Sequence, residues 1–211
     1  MNLDDYIKHK GVQNESDTDI VGILWYDSEL SQPDKIEFSF TLFERSPDYG
    51  ICAEIKMSFN ELSKENRLKI WNNYKRLLKF GDSKQREQIE YSLWVDFFED
   101  TETVDEAWEN LVGDYQDKDL IRQLLRISGP VPFDKKDLVY MKLVRDKKNH
   151  DYILKSLSGS FFDVYGQINI QRARVLLPTL KVNKSTEEYI KLKDCLSRFN
   201  TQREYWKSIK K

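Results

Sequence analysis

The sequence contains few of the residues from which many catalytic and metal centres are built. Only two cysteines and two histidines occur among 211 residues, too few for a disulfide framework or for a zinc site of thiolates and imidazoles. We interpret Cys52 and Cys195 as free, buried thiols. Eight glycines leave little material for a phosphate-binding loop, and no G-x-x-x-x-G-K-[ST], G-x-G-x-x-G, G-x-S-x-G or H-E-x-x-H motif is present. We therefore predict no cofactor, no metal and no catalytic residues, and a binding protein is favoured over an enzyme.

Long apolar runs are also lacking. The longest, such as residues 20–26, are far shorter than the roughly 20 residues that span a bilayer. The N-terminus shows no basic start followed by an apolar run, so we expect no secretory signal, no membrane association and a cytoplasmic location. Five tryptophans, eleven tyrosines and eleven phenylalanines are nevertheless enough to build a core.

Residues 1–58 predict a short helix and then strands. The helix covers residues 3–9, ends at Gly11, and belongs to a mobile N-terminal segment, 1–19. Residues 20–26 are rich in β-branched and aromatic types, while 35–43 and 51–57 alternate apolar and polar residues. The simplest arrangement is a three-stranded antiparallel β-meander over residues 20–58.

From residue 59 onward the apolar spacing changes to the period of a helix. Helix starts are predicted by capping residues and helix ends by glycine or proline. The predicted helices begin near Ser63, Ser83, Thr103, Asp117, Asp134, His150, Ile168, Ser185 and Thr201. The predicted fold class is α+β, with the small sheet packed as one domain with a helical bundle or irregular α-solenoid over residues 59–211.

The charges are unevenly distributed along the chain. Residues 1–120 carry 27 acidic and 14 basic residues, whereas residues 121–211 carry 9 and 20. The two parts therefore have net charges of −13 and +11, although the whole chain has only −2. A division of this kind indicates a charged partner, or two parts that complement one another.

The acidic residues are densest between residues 96 and 119, with Lys118 as the only base. Acids near helix starts explain some of them. Others indicate a surface that docks a basic protein, with Trp94, Phe98 or Trp108 as an aromatic anchor if it is exposed. The candidate partner-binding residues are Asp96, Glu99, Asp100, Glu102, Asp105, Glu106 and Glu109.

A magnesium site made only of carboxylates is an alternative use of the same residues. Glu99-x-x-Glu102 and Glu106-x-x-Glu109 resemble the paired helical carboxylates of all-α nucleotide pyrophosphohydrolases, over about a dozen residues. The first alternative function is therefore a Mg²⁺-dependent phosphohydrolase or nuclease with a metal site made only of carboxylates.

The basic residues are spread over the C-terminal half, and they allow a second alternative, nucleic-acid binding. The candidate phosphate-binding residues are Arg122, Arg126, Arg145, Lys147, Lys148, Arg172 and Arg174. Our leading hypothesis is a non-catalytic protein of the immunity or inhibitor type, or an assembly subunit, that binds a basic protein. The sequence does not define an oligomeric state.

Overall fold

The structure, a computed structural model, describes residues 1–113, 117–128, 131, 133–159 and 168–209. It divides into two compact units, Met1–Asp114 (unit 1) and Tyr115–Lys211 (unit 2). The helices of unit 1 are α1 (Leu3–Lys10), α2 (Asp17–Tyr26), α3 (Gln32–Arg45), α4 (Tyr49–Met57), α5 (Lys64–Phe80), α6 (Ser83–Ser92) and α7 (Val104–Val112). Those of unit 2 are α8 (Lys118–Ile127), α9 (Phe133–Leu143), α10 (His150–Leu157), α11 (Ile170–Leu176), α12 (Glu187–Arg198) and α13 (Gln202–Ile209).

The predicted antiparallel sheet, and with it the α+β class, is wrong. The described residues contain no strand, and the three predicted strands are α2, α3 and α4. Each of these helices begins at a side-chain cap, because Ser16, Ser31 and Asp48 accept hydrogen bonds from the backbone N–H groups of Asp19, Asp34 and Gly50. The chain thus satisfies its first backbone donors locally, as a helix requires.

The apolar and polar residues of α3 alternate because this helix is buried on more than one side. This helix packs against α2, α4 and α5. The strand prediction required one buried face, and its members are indeed buried: Ile36, Phe38, Phe40 and Leu42. Phe43, which a strand would place on the opposite face, is buried as well. A helix buried on more than one side has apolar residues at both the strand and the helix spacing, so its periodicity is ambiguous.

An aromatic cluster forms the centre of unit 1. The Trp71 ring of α5 lies 4.8 Å from Phe97 and 5.1 Å from Phe59, measured between ring centroids. Tyr74 is 5.8 Å from Phe97, in an edge-to-face arrangement that aromatic rings favour. All four side chains are fully buried.

A π-helix, Leu93–Phe98, continues α6 and supplies Phe97 to this cluster. Its wider turn ends with the N–H of Glu99 donating to the carbonyl of Trp94, five residues earlier. Phe98, the next residue, is also buried and lies 6.0 Å from Trp108 of α7. The π-helix therefore directs two consecutive aromatic side chains into the interior.

In unit 2, α12 packs against α10 and α11, and α11 packs against α13. His150, at the start of α10, is buried, and both of its ring nitrogens have partners. Nδ1 accepts from the backbone N–H of Lys181 at 2.8 Å, so Nε2 donates to the carbonyl of Val144 at 2.9 Å. This histidine joins three segments of unit 2.

Candidate functional site

The acidic residues predicted to bind a partner lie on the π-helix, on the turn after it and on α7, all in unit 1. The structure separates them into two groups. Asp96, Asp100 and Glu106 are half-buried and bind groups of their own chain, whereas Glu99, Glu102, Asp105 and Glu109 have exposed side chains, although Glu102 and Asp105 also make contacts. We call the second group the acidic face.

Asp96 accepts hydrogen bonds inside unit 1. The Tyr49 hydroxyl donates to Oδ1 and the Ser92 hydroxyl to Oδ2, each at 2.8 Å. Ser92 also contacts the hydroxyl of the buried Tyr74 at 3.1 Å. Burial, followed by the bond to Asp96, raises the pKa of Tyr49 to about 12, and burial raises the pKa of the nearby Cys52 to about 12. These groups form a neutral network around one carboxylate.

Asp100 links the turn after the π-helix to α4. Its Oδ2 lies 2.5 Å from the Lys56 ammonium, and its Oδ1 accepts the backbone N–H of Glu102 at 2.9 Å. The hydrogen bond from Lys56 lowers the pKa of Asp100 below its usual range. Asp100 thus has an intramolecular cation.

Glu106 links α7 to α5. Its Oε1 accepts from the Arg67 Nε and from the Trp71 Nε1, both at 3.1 Å. The sequence Thr103-x-x-Glu106 predicts a capping box at the start of α7. It is not formed, because Thr103 makes no side-chain cap and Glu106 turns toward Trp71. This carboxylate holds a buried indole N–H.

The four residues of the acidic face are exposed, unlike Asp96, Asp100 and Glu106. Asp105 and Glu109 lie four apart on α7, so they share one side of that helix. Glu102 is three residues before Asp105, and its amide partner, Asn60, is 3.5 Å away. Among the contacts of the described residues, none pairs Glu99 or Glu109 with a cation.

The aromatic residues predicted as anchors are mostly inside. Phe98 and Trp108 are buried, and Trp94 is half-buried. Tyr91 and Val95, four residues apart on α6 and the π-helix, are exposed instead. Any apolar contact of a partner close to Glu99 therefore has Tyr91 and Val95 available rather than the predicted anchors.

The paired carboxylates of the magnesium alternative are not equivalent. Glu106 is bound to Arg67 and Trp71, whereas Glu109 is exposed. Within the described ranges, no group of three or more His, Cys, Asp or Glu side chains is placed to hold a metal ion.

Three of the seven predicted basic residues make contacts within unit 2. Arg122 bonds Asp119 and Asn149, and Arg172 pairs with Asp137. Arg174 donates to backbone carbonyls at the end of α12, those of Leu196 at 2.9 Å and Phe199 at 2.7 Å. Such contacts satisfy carbonyl groups that a helix end leaves without partners.

The other four basic residues, Arg126, Arg145, Lys147 and Lys148, have exposed side chains. Arg145, Lys147 and Lys148 lie within four residues of one another, where the chain turns from α9 to α10. They form the densest exposed group of the predicted phosphate-binding residues.

The two units carry opposite charges. Unit 1 contains 25 acidic and 13 basic residues, a net charge of −12, and unit 2 contains 11 and 21, a net charge of +10. The division seen along the sequence thus follows the boundary between compact bodies. In the part of the chain that the structure describes, no helix is long and apolar enough to cross a membrane. No family model, no curated protein and no solved structure matches this chain.

Proposed function

We propose that the chain is a non-catalytic protein that binds a basic protein partner through the acidic face of unit 1. Its role would be that of an inhibitor, an immunity-type protein or an assembly subunit. The observation that carries the proposal is the net charge of −12 on one compact unit. Clustered charge of one sign steers an oppositely charged partner and increases the association rate.

The contacts within unit 1 support the acidic face as the specific part of that surface. Asp96, Asp100 and Glu106 already accept hydrogen bonds or ion pairs from their own chain. Glu99 and Glu109 have no such contact among the described residues. Carboxylates without an intramolecular cation remain available to a lysine or arginine of another protein.

The test is affinity capture from a lysate of the organism that encodes the chain, with nuclease and without it. We would compare the unmodified protein with a variant carrying Glu99→Lys, Glu102→Lys and Glu109→Lys. Glu106 stays unchanged, because reversing its charge would disturb Trp71 as well. We expect the variant to lose about tenfold or more of its basic partner, since each reversal replaces attraction by repulsion.

A matched control separates a specific face from the overall charge. The variant Glu37→Lys, Glu61→Lys and Glu87→Lys has the same change of net charge at exposed sites elsewhere in unit 1. The control should retain the partner. Equal losses in both variants would show that the net charge, not the acidic face, attracts it, and unchanged capture by both would contradict the proposal.

A second candidate function, phosphate binding by unit 2, is favoured by Arg145, Lys147 and Lys148. The three side chains are exposed together on a unit of net charge +10. Binding of this kind weakens steeply as the salt concentration rises. A gel-shift titration with duplex DNA and with single-stranded RNA at two salt concentrations tests it. Absence of binding at low salt would exclude a substantial phosphate interface.

A further inference from the structure

The second helix of unit 1 is apolar on nearly all of its sides. Ile20, Val21 and Leu24 of α2 are buried. Ile23 and Tyr26 of the same helix are 37% and 81% exposed. A helix that is apolar all round is usually enclosed by protein, yet this side of α2 faces solvent in unit 1.

An open groove runs along this exposed side. Its volume is about 820 Å³, within the range of ligand-binding pockets, and α1, α2 and α4 contribute to its lining. Ile23 and Tyr26 give it an apolar part. Five carboxylates also line it, those of Glu15, Asp19, Asp27, Glu29 and Glu54. The groove thus combines an apolar wall with a strongly negative rim.

Lys10 neutralises only part of this rim. Its ammonium lies 2.9 Å from Asp27 and 3.1 Å from Glu29, and it is the only basic residue among those that line the groove. Glu15 and Glu54 have no cation among the described residues. The groove therefore retains a net negative charge beside its apolar wall.

Gly22 keeps the middle of the groove open. It lies within α2, and a Cβ atom built on it would come to 3.7 Å from Cδ of Glu54, an ordinary contact distance. A glycine inside a helix destabilises that helix relative to alanine. At this position its small size leaves the Glu54 carboxylate accessible beside the helix backbone.

We propose that this groove binds a segment of a basic protein in which a lysine or arginine lies next to an apolar side chain. The cation would pair with Glu54, and the apolar side chain would cover Ile23 and Tyr26. The exposed Tyr26 ring would also favour a nearby cation. This inference rests on the proposed function, since it identifies a site and a recognition chemistry for a basic partner of unit 1.

The test uses the full chain and two fluorescent peptides of about eight residues with equal charge. One alternates lysine with leucine and the other lysine with serine. We expect the lysine–leucine peptide to bind about tenfold more tightly, because only its leucine side chains can bury apolar surface against Ile23 and Tyr26. Spermine serves as a polycation without apolar side chains and should bind more weakly than the lysine–leucine peptide.

Two pairs of variants locate the binding. Gly22→Arg fills the groove and places a cation beside Glu54, so affinity should fall about tenfold or more; Gly22→Ala, which adds one methyl group, should weaken binding less. Tyr26→Ser removes the exposed ring and should reduce affinity more for the lysine–leucine peptide than for the lysine–serine peptide, which loses only a cation contact with the ring. The matched controls are Glu61→Gln, with the charge change of Gly22→Arg, and Phe80→Ser, another exposed aromatic residue of unit 1.

The outcomes distinguish the groove from the proposed function. The proposal that the groove binds the peptide would be overturned if Gly22→Arg and Tyr26→Ser left peptide binding unchanged. It would also be overturned if the two peptides bound with equal affinity, or if spermine bound as tightly as the lysine–leucine peptide. Absence of peptide binding at low salt would overturn it too. The proposed function fails separately, if lysate capture is insensitive to both charge-reversal variants. Tyr26→Ser, at a largely exposed position, keeps the test valid even if Gly22→Arg does not fold.

Discussion

Replacing Glu106 tests whether this carboxylate stabilises the fold while the exposed carboxylates near it do not. Trp71 is fully buried, and its indole N–H donates to Glu106. Glu106→Ala leaves that donor unsatisfied, at a cost of about 1 to 3 kcal/mol. Loss of the ion pair with Arg67 adds about 0.5 kcal/mol, because both side chains are about a quarter exposed and solvent screens them. We therefore expect Glu106→Ala to lower the free energy of unfolding by about 2 kcal/mol.

The assay is urea unfolding followed by tryptophan fluorescence, which reports mainly on unit 1 because four of the five tryptophans lie there. Glu106→Gln keeps an oxygen acceptor for Trp71 and should cost only about 0.5 kcal/mol. Glu109→Ala, at an exposed position of the same helix, should change stability by less than about 0.5 kcal/mol. Equal effects of Glu106→Ala and Glu109→Ala would refute the reasoning. If the glutamine variant were as unstable as the alanine variant, the charge and not the acceptor would be what matters.

Further predictions concern backbone conformation and pH. Gly11 ends α1 with a φ of 70°, so Gly11→Ala should destabilise the protein by about 1 kcal/mol; the same change at the helical Gly22 should stabilise it by about 0.5 to 1 kcal/mol, and opposite shifts of the melting temperature would confirm both. The hydrogen bond from Lys10 lowers the pKa of Asp27 to about 2. Since the unfolded chain takes up this proton near pH 4, stability should fall between about pH 4 and pH 2, and less so in Asp27→Asn, as measured by urea unfolding. Burial lowers the pKa of Lys136 to about 8, below the value of about 10.4 in the unfolded chain. Stability should therefore rise from about pH 8 to pH 10, and a Lys136→Met variant that rises as steeply would contradict this.

The helices after residue 59 could be predicted from local signals. Ser63 caps α5, as predicted, and the helix ends at Phe80, before Gly81. Asp117 caps α8, and α10 begins at His150, also as predicted. In these segments the apolar period, the cap and the helix end all agree.

Before residue 59, α1 was predicted, as residues 3–9, but α2, α3 and α4 were interpreted as strands. Because α2 and α3 carry apolar residues on more than one side, the spacing of their apolar residues does not show the period of a helix. The useful signal was the start of each segment, since Ser16-x-x-Asp19 and Ser31-x-x-Asp34 are typical helix caps. Pro33, in the first turn of α3, also indicated a helix start.

The division of the acidic residues could not be predicted from sequence. Glu106 meets Arg67 39 positions away, and Asp100 meets Lys56 44 positions away. Such pairings depend on how α4, α5 and α7 pack, which no local pattern records. The groove beside α2 could not be predicted for the same reason, because its carboxylates come from several segments that are brought together only in the fold.

The π-helix at Leu93–Phe98 has a consequence for how this chain can change in length. A turn closed by a bond to the fifth preceding residue contains one residue more than an α-helical turn. Deletion of one residue there would restore an α-helix and rotate the residues after the deletion about the helix axis, so that Phe97 and Phe98 could no longer face their present neighbours together. A relative with a single-residue gap in this segment should therefore have compensating changes at Phe59 or Trp108, which would identify the segment as an insertion accommodated by the aromatic core.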